Sequence, residues 1–205
     1  MQWGLSAGAY PIMVMKDKEV EDKIIEIRQK LTLYMNGAAA EGMRSHGIVY
    51  RLNYGVSIPD LLKIAGEYQK NHILAQELWR QECRECKMLG AMLEPHGSFS
   101  PDLADLWMES IRYSDLAEVC SRYLFRYMPG ASETAFRWIA CDNDIVQYCG
   151  FLTIAGLMRS GLEMRDCYLM ELKDQACAAM SSDSLLPRQG AAAVLNVYSE
   201  VYGEN

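Results

Sequence analysis

The sequence predicts an all-α protein assembled from repeated helical pairs. Ala, Leu and Met supply 55 of its 205 residues, whereas Val and Thr, two staples of sheets, supply 12. Strong helix formers therefore outnumber strand formers. Apolar residues also recur at helical spacing along most of the chain. Finally, Trp79, Trp107 and Trp138 each fall in the first helix of a pair, 28 and 31 residues apart, the kind of spacing a repeat array shows.

The opening stretch, MQWGLSAGAYPIMVM, carries no charge and contains Gly4, Gly8 and Pro11. It lacks the basic n-region of a signal peptide. Residues 1–15 read either as an irregular arm or as residues ahead of a start at Met13 or Met15, and 16–205 as a single helical-repeat domain. From Lys16, Val20, Ile24, Ile27, Leu31 and Met35 line one helical face, as a helix buried on one side requires. Gly37 and Gly42 weaken its end, and Ser45–Ser57 reads as a connector. Ser57 with Pro59 then marks a helix start running to about Gln69, since proline is well tolerated in a first turn.

Pairs follow. Asn71–Arg80 and Glu82–Leu93 close at Glu94-Pro95; Pro101–Ile111 and Ser114–Met128 close at Pro129-Gly130. Glu133–Ala140 and Asp142–Arg159 close at Ser160-Gly161, and Glu163–Met180 and Pro187–Tyr202 complete the chain. The second helices are richer in small residues, such as Gly90, Ala91, Cys149 and Gly150. One pair cannot bury its apolar face alone, so neighbours stack into a right-handed solenoid-like arc. The alternative for the same helices is a compact irregular bundle.

A chain this long buries roughly 70% of its unfolded surface and needs no staples. The seven cysteines then read as reduced thiols of a cytoplasmic protein, and no run is apolar enough to span a membrane. The net charge is −7, with 12 Lys/Arg against 12 Asp/Glu in residues 1–100 and 8 against 15 in 101–205. Any contact with nucleic acid therefore needs a local basic face. Arg122, Arg126, Arg137 and Arg159 could supply one, or could simply pair with acids such as Asp115 and Glu118.

The sharpest cysteine pattern is Cys83-x-x-Cys86, but it lies inside the predicted helix 82–93 and has no second pair. It reads as two small helix residues rather than a metal or redox site. His46, His72 and His96 share no ligand spacing, and no phosphate loop or nucleophile motif is present. No metal and no cofactor are expected.

One stretch carries more. Residues 43–95 contain Tyr54-Gly55-Val56, Pro59, Leu62, Ile64-Ala65, Leu74-Ala75, Leu78-Trp79, Glu85 and the Leu93–Pro95 turn. In that order they resemble the DNA alkylation repair proteins of the AlkD type. The resemblance implies an armadillo-type superhelix of HEAT-like repeats. It also implies an ancestral activity, the excision of cationic alkylated purines from duplex DNA. That chemistry needs a carboxylate beside an oxocarbenium-like sugar and indole faces beside the cationic base. The family keeps these groups as Trp-Asp-x-x-Asp, with a further tryptophan near the C-terminus.

The corresponding segment here is Ile111–Cys120. With Tyr113 at the tryptophan position, Ala117 takes that of the carboxylate; one residue on, Glu118 takes it but Ser114 replaces the tryptophan. Gly190–Asn196 matches the C-terminal tryptophan's segment and contains none. Gln147 and Tyr148 stand where active members carry arginines. The resemblance thus implies a DNA-binding relative with weak or lost glycosylase activity. Its candidate residues are Glu118 for the carboxylate, Tyr113 for an aromatic wall, and Arg112, Arg122, Arg126 and Arg137 for phosphates on a concave face. Two alternatives remain: an active N-glycosylase using Glu118, and an arc turned toward a protein partner.

Overall fold

The computed structural model describes residues 10–202. Among these, all regular elements are helical, apart from one isolated bridge between Leu52 and Cys83. The chain divides into two compact units, Met1–Leu93 and Glu94–Asn205.

The first unit contains α1 (Tyr10–Leu33), α2 (Gly37–Ser45), α3 (Ile58–Gly66), α4 (His72–Trp79) and α5 (Arg84–Leu93). The first helix thus begins inside the stretch 1–15 expected to be irregular; residues 1–9 lie outside the described residues. Of the expected apolar face, Ile27 and Leu31 are fully buried, but Met35 lies beyond the helix end and is 59% exposed. The following residues form a separate helix, α2, rather than a fraying end. Asn36 caps it, its side chain accepting from Ala39 N at 3.0 Å, and Ala38–Ala40 outweigh the two glycines.

Ser57 and Asn71 cap α3 and α4 in the same way. Between α2 and α3 the chain crosses close to Asn36. Gly55 has φ +70°, and a Cβ there would lie 2.1 Å from the Asn36 carbonyl oxygen, so glycine is required on two counts. The connector is fastened by Glu85, a fully buried carboxylate on α5. Its oxygens accept from Tyr54 N at 3.1 Å and Val56 N at 3.2 Å, and buried Arg84 donates to it at 3.1 Å. The residues that carry the family resemblance here build the fold.

The second unit contains α6 (Pro101–Met108), α7 (Ser114–Tyr123), α8 (Ala131–Ile139), α9 (Asp144–Arg159), α10 (Asp166–Ala179) and α11 (Leu185–Tyr202). The helix expected over 114–128 breaks at Leu124 (φ −131°, ψ −65°) into a short 3₁₀ turn, Phe125–Tyr127. That turn drives Phe125 into the core, edge-on to Trp138 at 5.0 Å and stacked with Phe99 at 6.1 Å; Phe99 in turn meets Trp107 at 5.0 Å. Two repeat tryptophans are thereby joined through phenylalanines. Beyond them Phe151, Ile154, Met158, Leu172, Val194 and Val197 close the core of α8–α11.

Candidate functional site

Within the second unit, α7, the 3₁₀ turn, α9 and α11 enclose a recess of about 160 Å³. Glu118 and Arg122 reach it from successive turns of α7, Arg126 from the 3₁₀ turn, Tyr148 and Arg159 from α9, and Ala193 from α11. Three guanidinium groups therefore converge in the acidic half of the chain.

Each is held differently. Arg159 Nε lies 3.7 Å from a Glu200 carboxylate oxygen. Arg126 lies over the Tyr127 ring at 4.6 Å and donates to its hydroxyl, while His96 stacks on the same tyrosine at 4.5 Å. A Cβ at position 156 would come within 3.0 Å of Arg126 Cδ, so Gly156 leaves the space in which that side chain lies along α9. Arg126 Nε is buried without a hydrogen-bond partner, an uncommon state for a cationic donor. Arg122 is exposed and makes no ion pair among the described residues.

Glu118 does not pair with Arg122 on the next turn. Its Oε1 accepts from the Tyr148 hydroxyl at 3.0 Å. Burial, with the adjacent Glu118 carboxylate, holds the Tyr148 phenol well above its ordinary range, so it stays a neutral donor and fixes the carboxylate. Gly190 on α11 admits this ring: a Cβ there would fall 2.9 Å from Phe151 Cβ and 3.2 Å from Tyr148 Cδ2. The segment where the resemblance places an indole is thus built from small residues that accommodate Tyr148 instead.

The structure brings Glu118, Arg122 and Arg126 together and leaves Arg112, Tyr113 and Arg137 outside the recess lining. Arg112 is exposed in the turn between α6 and α7, and half-buried Tyr113 is the N-cap of α7. Arg137 pairs with Asp105 at 2.8 Å, and Asp105 also accepts from Trp138 Nε1 at 2.8 Å. Ala117, the carboxylate position in one register, is buried. Arg159, grouped in the sequence with the other arginines of a basic face, joins the recess, and Gly156, which the sequence did not single out, completes it; helical spacing from Tyr148 on α9 is the signal that could have found the glycine.

Residues 27–202 match the family described as DNA alkylation repair enzyme. The chain belongs to that family. No curated protein matches it significantly. A solved structure, from work describing "a new family of proteins related to the HEAT-like repeat DNA glycosylases with affinity for branched DNA structures", superposes with a TM-score of 0.78. It is 15% identical, and the match covers 86% of this chain and 76% of that one. The likeness shows a HEAT-like repeat fold and favours the repeat array over an irregular bundle. Among the described residues no helix is long and apolar enough to cross a membrane, and no group of three or more His, Cys, Asp or Glu could hold a metal ion.

Proposed function

We propose that this member of the DNA alkylation repair family binds DNA through the α7–α9–α11 recess and has weak or lost base-excision activity. The observation that carries the reading is the convergence of Arg122, Arg126 and Arg159 on one recess, with Arg126 Nε buried and without a hydrogen-bond partner. A phosphate entering the recess meets these guanidinium groups, whose forks suit phosphate geometry. The structurally similar protein, described by its affinity for branched DNA, makes a branched ligand the natural companion to a plain duplex. Missing indoles and a carboxylate already engaged by Tyr148 support weak excision.

Anisotropy of labelled duplex and branched DNA, titrated at several salt concentrations, tests the reading. Three phosphate contacts give a log–log salt slope of about −2.7, and each arginine removed lowers its magnitude by about 0.9. Arg122→Ala and Arg126→Ala should each flatten the slope by that step, while Arg137→Ala should leave it unchanged. Absence of binding at low salt would overturn the reading and favour a protein partner.

The position of Glu118 on the recess supports a second reading, an active N-glycosylase for cationic alkylated purines. Release of methylated base from alkylated duplex, lost in Glu118→Gln with the helical signal intact, would establish it. An unchanged rate in that variant would remove Glu118 from the chemistry.

A further inference from the structure

Helix α1 turns one face into the core and leaves the neighbouring one partly open. Ile27 and Leu31 are fully buried. Glu21, Ile24, Ile25 and Arg28 stand at i, i+3, i+4 and i+7, a spacing that puts all four on one face. Where this face meets α4 it borders a groove of about 470 Å³, whose apolar lining is Val20, Ile24, Ile25 and Ile73. Ile25 is 50% exposed and Ile73 is 45% exposed. A single open isoleucine is ordinary, but a contiguous apolar stripe rimmed by charge marks a surface that meets a partner.

The rim says which partner. Glu21 and Arg28 stand at the two ends of the stripe, and neither forms an ion pair among the described residues. Arg28 donates to the neutral Gln81 Oε1 at 2.5 Å. Elsewhere on α1 charges do pair, Glu19 with Lys23 at 2.7 Å and Glu26 with Lys30 at 2.8 Å. Across the groove Glu77 is engaged by Arg80. The order acid, isoleucine, isoleucine, base is its own complement when reversed. A two-fold axis crossing α1 midway between Ile24 and Ile25 runs two copies of the helix antiparallel. Glu21 of each copy then faces Arg28 of the other, and Ile24 of each meets Ile25 of the other. The charges lie about 10 Å apart along the helix, so both cross pairs form together. A parallel pairing sets Glu21 on Glu21 and Arg28 on Arg28, and like-charge repulsion disfavours it. Self-complementarity of one patch is what a two-fold interface demands.

We infer that this protein self-associates as a two-fold dimer, with a second copy of the chain covering the α1–α4 groove through its own α1. Burial of the isoleucines supplies the affinity. The two Glu21–Arg28 pairs fix direction and register, since exposed ion pairs add little attraction of their own. The patch is small beside the interfaces of permanent dimers, so the copies exchange and the dimer population follows protein concentration.

Sedimentation equilibrium of the full-length protein, from low to high concentration, tests the proposal. The mass should rise from one chain toward two. Glu21→Arg sets arginine against Arg28 twice over, and Arg28→Glu sets glutamate against Glu21 twice over. Each should raise the dimer dissociation constant on the order of tenfold or more. The double variant exchanges the signs, restores both pairs and should return the constant close to its native value, which no misfolded single variant would explain. Ile25→Glu should abolish the dimer. Leu106→Glu, at an apolar residue 60% exposed on α6, should leave it unchanged. A mass of one chain at every concentration would overturn the proposal and leave the groove to a different protein. So would a dimer that both single charge reversals leave intact, or one that the double reversal fails to restore.

Discussion

Two helical hairpins sixty positions apart, α4–α5 and α8–α9, are built by the same rules and used differently. In both, a glycine of the second helix sits against the backbone of the first. A Cβ at Gly90 would lie 3.0 Å from the Ala75 carbonyl oxygen, and one at Gly150 would lie 2.8 Å from that of Ala135. In both, a side chain three residues earlier seals the first helix's end: Lys87 Nζ donates to the Trp79 carbonyl at 2.8 Å and Gln147 Nε2 to the Ile139 carbonyl at 2.9 Å. The residue between diverges. Met88 is fully buried, whereas Tyr148 carries a hydroxyl to Glu118. The scaffold is fixed by backbone contacts that tolerate little, so new chemistry enters through single side chains on a constant frame.

The carboxylates sharpen the contrast and give the largest predicted effect. Glu85 is fully buried and accepts from two backbone amides and Arg84; Glu118 is exposed with a single tyrosine partner. Glu85→Ala strands a buried guanidinium and two amides, a loss of about 3–5 kcal/mol. At about 2–4 °C per kcal/mol for a chain of this size, the midpoint of thermal unfolding should fall by roughly 6–20 °C. Glu118→Ala should cost about 0.5–1.5 kcal/mol, the scale of one lost hydrogen bond. Equal melting shifts would break the distinction between a structural and a site carboxylate.

Next come the glycines. Gly150→Ala meets the Ala135 carbonyl, Ile139 N and Ile139 Cγ1 all within 2.9 Å, whereas Gly90→Ala meets its nearest atom at 3.0 Å and the next at 3.3 Å. Overpacking of this kind costs about 1–3 kcal/mol. Urea midpoints should therefore fall for both, with Gly150→Ala the more destabilised. The reverse order would mean that α8 and α9 separate more easily than α4 and α5.

Much of this frame was legible before any coordinates. The tryptophan spacing and the Pro–Gly punctuation locate nearly every helix, because burying one face and ending at a breaker are local demands. Where reading failed, a distant partner decided. Helix α2 is hidden in the sequence because its two glycines mask a cap whose value depends on the loop returning past Asn36. Glu85 belonged to a recognisable pattern, but its role as a clamp needs the amides of Tyr54 and Val56, some thirty residues earlier. The recess divided the same way. Glu118, Arg122 and Arg126 follow one another along the chain and could be grouped by spacing. Arg137 could not be set aside without Asp105 across the α6–α8 contact.

The smallest effect concerns the residue at which the two hairpins part. Tyr148→Phe keeps the ring against Gly190 and removes only the hydroxyl bonded to Glu118, a loss of about 0.5–1.5 kcal/mol near neutral pH. Its sharper signature lies in alkali. The folded phenol titrates well above its ordinary range, because of burial and the Glu118 charge, while an unfolded tyrosine ionises near pH ~10. Below that pH both states hold the proton and the native contribution is intact. Above it the unfolded chain has lost a proton that the folded one retains, so stability falls with rising pH until the buried phenol itself ionises. Denaturant midpoints measured from neutral pH into this window should decline more steeply for the native sequence than for Tyr148→Phe. Parallel curves would mean that Tyr148 ionises as freely folded as unfolded, and the fixed Tyr148–Glu118 pair that separates the α9 hairpin from its α5 counterpart would be lost.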